Sequence, residues 1–207
     1  MTNCERRPRQ LVIATGNAGK LREFNHLLEP LGIPLISLHQ FSATSEPDET
    51  GTTFAENAAI KASSYALHTG EWVIADDSGL EIDHLGGAPG VHSARFAGAS
   101  SSYEEKTRSI LQKLNGVNPQ NRGARFVSVI VLAEPGGKIA FNVEGSCEGS
   151  IGFEPRGGHG FGYDPIFIPT GFDRTFGEMS DDEKSLLSHR GKAAKAFIRQ
   201  MLDFMGL

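Results

Sequence analysis

The residues best suited to chemistry begin at Asp76-Asp77-Ser78-Gly79, which follows directly on the apolar run Trp72-Val73-Ile74-Ala75. A short apolar run ending in acids and a Ser-Gly turn reads as a buried strand that delivers carboxylates to its carboxyl end. In α/β sheets ligands sit at that end. Adjacent carboxylates repel each other and attract a hard divalent cation, which phosphate chemistry needs. The same four residues would also serve as a solvated turn or a helix cap, so the rest of the chain must decide.

Three other segments bear on that choice. Thr15-Gly16-Asn17-Ala18-Gly19-Lys20 lies between a predicted strand and a predicted helix. Its glycines allow close backbone approach, a helix start favours anions, and Lys20 adds a positive charge, so the loop suits a phosphate. It has neither the Walker A spacing nor G-x-G-x-x-G, which argues against P-loop chemistry and against a dinucleotide-dependent oxidoreductase. Asn57 and Lys61 are four residues apart and share one helix face, with Glu49 just ahead. They read either as a cap and a surface ion pair or as a second metal-binding acid with a cation for phosphate. In Gly160-Phe161-Gly162-Tyr163-Asp164-Pro165, aromatics between glycines form either an anchored turn or a wall for a planar base, with Asp164 as an acceptor. Ser188 is a natural N-cap that places His189 and Arg190 in a first helical turn, where a cation opposes the helix dipole. With Lys184 nearby, they are either solvated cations or donors to an anionic or carbonyl-bearing ligand.

The elements that must position these residues follow from periodicity. Gln10 to Ala14 reads as a strand, followed by a helix to Leu28 with Leu21, Phe24, Leu27 and Leu28 on one face. Ile33 to Leu38 is a second strand, and residues 44–52 an acidic loop. Thr53 and Glu56 form a capping box for a helix that Gly70 ends. Beyond the acidic strand come a Gly-Pro loop at Gly86 to Gly90 and a helix from Tyr103 to Leu114. Strands at Ala124 to Glu134 and Lys138 to Gly149 follow, joined at Pro135-Gly136-Gly137. A capping box at Ser180 and Glu183 precedes the last helix, whose core side is Phe197, Ile198, Met201, Leu202 and Met205. The class is α/β: a mixed, partly antiparallel central sheet flanked by helices, in two lobes with an active-site cleft between them. Residues 1–9 read as a flexible leader and residues 10–207 as a single domain.

Composition narrows the function classes. With 207 residues, 39% hydrophobic and 22% charged, the chain is of ordinary globular type. A net charge of −5 argues against nucleic acid as a partner, since such binding needs many Lys and Arg on phosphates. No apolar run is long enough to span a bilayer. Two cysteines, Cys4 and Cys147, make no disulfide framework, which points to a reducing cytoplasm.

The full set resembles the inosine triphosphate pyrophosphatase family, also called dITP/XTP pyrophosphatases, from about Leu11 to the last helix. The resemblance is carried by Ala14-Thr15-Gly16-Asn17 with Lys20, by Glu49-Thr50-Gly51 with Phe54, Glu56, Asn57 and Lys61, and by Ala75-Asp76-Asp77-Ser78-Gly79-Leu80. It continues through Gly86-Gly87-Ala88-Pro89-Gly90 with Ser93-Ala94-Arg95, Gly160 to Pro165, and Lys184-Ser185 with Ser188-His189-Arg190-Gly191. Phe96 departs from it, standing where a tyrosine is common. The resemblance implies a homodimeric, Mg²⁺-dependent hydrolase. Its substrates would be deaminated purine nucleoside triphosphates, cut to the monophosphate and pyrophosphate before they enter DNA or RNA. It implies that Asp77 is the proton acceptor and a metal ligand, that Glu49 is the second metal ligand, and that Asp76 supports the site. It assigns the triphosphate to Thr15, Gly16, Asn17, Ala18, Gly19, Lys20 and Lys61. It assigns the nucleotide and its base to Ser78, Phe161, Gly162, Tyr163, Asp164, Lys184, His189 and Arg190. A nucleotide sensor without turnover would need the loop and the aromatic wall but not the acids.

Overall fold

The computed structural model describes residues 7–41, 46–98 and 100–207. Most of the expected leader, including Cys4, and the head of the acidic loop at Thr44 lie outside the described residues. Among the described residues, six strands are hydrogen-bonded in the order β2-β1-β3-β4-β5-β6. They are β1 (Leu11–Ala14), β2 (Leu35–Ser37), β3 (Val73–Ile82), β4 (Gly123–Ala133), β5 (Ile139–Ile151) and β6 (Phe167–Pro169). Five α-helices accompany them among the described residues: α1 (Ala18–Leu28), α2 (Phe54–Thr69), α3 (Tyr103–Lys113), α4 (Asp181–Leu187) and α5 (His189–Met205). The sheet is mixed as expected: β1 pairs in parallel with β2 and β3, whereas β5 and β6 are antiparallel. Among the described residues no helix is long and apolar enough to cross a membrane.

Local chemistry sets the helix ends. Thr53 accepts from the Glu56 N–H while the Glu56 carboxylate returns to the Thr53 N–H, and the same reciprocal cap starts α4 at Ser180 and Glu183. Gly70 ends α2 at a φ of 69°, a left-handed conformation that costs glycine little.

The chain divides into two compact units. The first comprises residues 1–77, 128–145 and 190–207, and the second residues 78–127 and 146–189. In the first, Leu11, Ile13 and Ile74 pack with Phe24 and Leu28 of α1 and with Ala194, Phe197 and Met201 of α5. The Leu, Ile, Phe and Met side chains among them each contribute about 1.5–3 kcal/mol on burial. In the second, Leu80, Ile82, Phe126, Phe167 and Phe176 pack with Ile110 and Leu114. Buried Arg122 donates to the carbonyls of Leu114, Ile151 and Gly152, which closes the end of that core.

Two local expectations change. Asp76-Asp77-Ser78-Gly79 is not a turn, because β3 runs straight through it to Ile82. The acids find cationic partners and stay buried, so no solvated break is needed. Leu202 is 36% exposed, and the buried stripe of α5 runs instead through Ala193, Ala194, Phe197, Met201 and Met205.

Candidate active site

Successive side chains of a strand point to opposite faces. Asp76 and Asp77 therefore have different surroundings, although they are neighbours in sequence.

Asp76 is neutralised within the first unit. Its Oδ2 lies 2.8 Å from the Lys20 Nζ and 3.5 Å from Nη2 of Arg190. The Ser128 hydroxyl donates to its Oδ1 at 2.5 Å. Burial alone would raise this carboxyl, but the Lys20 and Arg190 charges outweigh it and hold the group far below the usual carboxylate range. Arg190 also pairs with Glu23 of α1.

Asp77 has a different balance. Its Oδ1 lies 2.9 Å from the Lys61 Nζ, and the same ammonium lies 2.8 Å from Oε1 of Glu49. One lysine thus gathers both proposed metal ligands. The second oxygen of Asp77, Oδ2, is buried with no hydrogen-bond partner. Burial pushes the Asp77 carboxyl up, and Lys61 only partly offsets it. Burial opposes the charge of Lys61 as well, but Asp77 and Glu49 overcome this and raise the ammonium above its ordinary value.

The loop before α1 is folded by its own side chains. Asn17 Oδ1 accepts from the backbone N–H groups of Gly19 and Lys20 at 2.8 and 3.1 Å, and the Asn17 N–H donates to Thr15 Oγ1. Asn17 is therefore the N-cap of α1, with Gly16 and Ala18 on either side of it.

These residues fit a Mg²⁺ ion. A buried carboxylate oxygen without a donor is costly, and a cation would satisfy it. Among the described residues no three His, Cys, Asp or Glu side chains gather into a metal cage. Two carboxylates suit Mg²⁺, which keeps water and takes substrate phosphate as its remaining ligands.

The second unit holds a separate polar group. Lys184 Nζ lies 2.7 Å from Oδ2 of Asp164, which also accepts from the Phe161 N–H at 2.8 Å. The same ammonium sits 5.0 Å from the centre of the Phe161 ring. Gly160 has a φ of 72°, and a Cβ there would collide with the Asp164 carboxylate, so glycine is required. Tyr163 is buried rather than a stacking face: its hydroxyl donates to the Ser93 carbonyl and its ring meets Tyr103 edge-on. Of the loop's two aromatics, Phe161 alone is partly exposed, beside Gly162. His189 is stacked on Phe126 at 4.6 Å and 11°. Ser78 is half-buried in β3.

The structure thus brings Lys20, Asp76 and Arg190 together, and Glu49, Lys61 and Asp77 together, both in the first unit. It brings Phe161, Asp164 and Lys184 together in the second. Arg190, expected among base-reading donors, has its guanidinium on Glu23 and Asp76. Glu23, Ser128 and Phe126 were missed. Glu23 lies one helical turn after Lys20, a spacing that signals a shared face. Ser128 is a lone hydroxyl in an apolar strand, and Phe126 carries no local signal.

The Ham1 family model matches residues 11–200. The chain belongs to the Ham1 family. This Ham1 chain is 49% identical over 196 residues to the dITP/XTP pyrophosphatase of Exiguobacterium sp. strain AT1b, covering 95% of this chain and 98% of that one. It is 46% identical to the dITP/XTP pyrophosphatase of Bacillus subtilis, covering 90% and 94%. The solved HAM1 protein of Coxiella burnetii superposes with a TM-score of 0.85 at 40% identity, over 94% of this chain and 98% of that one.

Proposed function

We propose that this Ham1 chain hydrolyses deaminated purine nucleoside triphosphates (dITP, ITP and XTP) to the nucleoside monophosphate and pyrophosphate. This would remove them from the nucleotide pool before incorporation. The observation that carries the chemistry is the convergence of Glu49 and Asp77 on Lys61, with one Asp77 oxygen buried and lacking a donor. The names of the two relatives described above support the substrate class. Magnesium dependence, a homodimer and a cytoplasmic setting belong to the same proposal.

Glu49 and Asp77 would hold Mg²⁺, which when bound polarises phosphate oxygens and lowers the barrier to attack at phosphorus. A water oxygen forms the new bond to the α-phosphorus, and the bond from that phosphorus to the bridging oxygen of the β-phosphate breaks. Asp77 takes the water proton, and its burial makes it a stronger base than an exposed aspartate. Pyrophosphate leaves with the electron pair. Lys61, and Lys20 released from Asp76, offset the charge that grows on it. Thr15 to Gly19 would contact the triphosphate.

Base choice is assigned to Ser78, the Phe161–Asp164 loop, Lys184 and His189. A 6-oxo purine presents an acceptor where adenine presents an amino donor. A buried donor left unpaired by the wrong base can discriminate by about 10⁴ or more. His189→Ala is expected to narrow the kcat/KM ratio of ITP over ATP, and an unchanged ratio would remove His189 from base reading.

The purified chain should be incubated with Mg²⁺ and a panel of ITP, dITP, XTP, ATP and GTP, with pyrophosphate and orthophosphate assayed separately. Pyrophosphate from the deaminated substrates is expected. Release of orthophosphate alone would move the cut to another bond, and no release would favour a sensor.

A further inference from the structure

The turn that carries Glu49 is fastened to α2 by a side chain with no role in the proposed chemistry. Asn57 is fully buried, and its Oδ1 accepts from the Gly51 N–H at 2.8 Å. Beside it, Glu56 Oε2 accepts from the N–H groups of Thr52 and Thr53 at 2.7 and 3.1 Å. Two adjacent side chains in the first turns of α2 thus hold three successive backbone donors. The fit at Gly51 is close: a Cβ there would lie 2.6 Å from both Asn57 Oδ1 and Glu56 Cβ. Lys61, one helical turn after Asn57, fixes the other end of the unit by gripping the Glu49 carboxylate.

We propose that Asn57 is a positioning residue for Glu49, tying the Gly51 backbone to α2 so that the Glu49 carboxylate meets Asp77 around a divalent cation. This rests on the metal reading above. The two acids come from distant parts of the sequence, and Glu49 stands on a turn rather than in a helix or strand. A turn two residues away from its anchor moves its side chain little, and metal sites depend on such supporting contacts. A neutral amide also suits this fully buried position better than a carboxylate would. The Nδ2 of Asn57 is buried without a hydrogen-bond partner, a cost of about 1–3 kcal/mol. The neutral amide holds Gly51 without adding a third negative charge that would compete for Lys61.

Mn²⁺ is the probe, titrated into the nucleotide-free protein and followed by electron spin resonance of the free ion, with melting temperature measured alongside. Asn57→Leu removes the acceptor and is expected to weaken Mn²⁺ binding about 10- to 100-fold. Asn57→Asp keeps an acceptor for Gly51 but adds a buried charge, and should recover part of that loss. Gly51→Ala leaves Asn57 intact but forces the turn away, and should reproduce the weakening. Unchanged Mn²⁺ affinity in folded Asn57→Leu or Gly51→Ala protein would overturn the inference while leaving the metal reading intact. If all three variants unfold, the contact belongs to the fold alone and the inference fails. A wild-type protein that binds no Mn²⁺ would sink the metal reading and this inference together.

Discussion

Asp77→Asn is expected to lower kcat by about 10²- to 10⁴-fold with the chain still folded. Asparagine is nearly isosteric and keeps an oxygen for the Lys61 ammonium, now 2.9 Å away. It loses the negative charge and the ability to take a proton. The position is 7% exposed, so a neutral side chain there costs less desolvation than the native carboxylate. Stability should therefore hold or rise while turnover collapses. Pyrophosphate release at saturating ITP and a melting curve on the same sample check both halves. Raising Mg²⁺ should not restore the rate, because added metal does not replace the proton acceptor. Near-normal kcat in a folded Asp77→Asn protein would take Asp77 out of the chemistry.

The neighbouring acid should behave in the opposite way. Asp76→Asn is expected to cost about 3–5 kcal/mol of folding stability, the range for removing one member of a buried charge cluster. It leaves the Lys20 ammonium without the carboxylate at 2.8 Å, and Arg190 with Glu23 in place of two acids. Denaturant unfolding measures the loss. A pH signature separates charge from packing. In the folded protein Asp76 is held far below the usual carboxylate range, so the folded state binds its proton less readily than the unfolded state. Its stabilisation is complete above the unfolded value near ~4 and is lost as pH falls from there toward the folded value. The stability gap between wild type and Asp76→Asn should stay constant from neutral pH down to about 4 and narrow below it. A gap that does not change with acid would assign the effect to shape rather than to charge.

The contrast between these two acids shows where sequence reasoning succeeds. The capping boxes at Thr53 and Ser180 were legible because both partners lie within four residues. The helix stop at Gly70 was legible because one residue carries the signal. The mixed sheet was legible in the order of apolar runs. The true length of β3 was not, since Asp-Asp-Ser-Gly has the composition of a turn. What keeps it extended comes from far along the chain: Lys20 lies 56 residues before Asp76, and Arg190 lies 114 residues after it. Local pattern cannot register that compensation. The choice between an anchored turn and a stacking wall at Tyr163 was not legible for a related reason. An aromatic between glycines looks uncommitted until the Ser93 carbonyl, 70 residues earlier, is seen to take its hydroxyl.

The pairing of β3 with β1 has a consequence for how this chain can vary. Val12, Ile13 and Ala14 stand opposite Val73, Ile74 and Ala75, which sets the phase of the two acids that follow. Adding one residue just before Asp76 would carry Asp76 into the place beside Lys61, and deleting one would carry Asp77 into the place beside Lys20 and Arg190. Both acids would survive in the sequence, one beside the wrong cations and the other moved out of both places. At this point of the chain, spacing is under as strict a constraint as residue type.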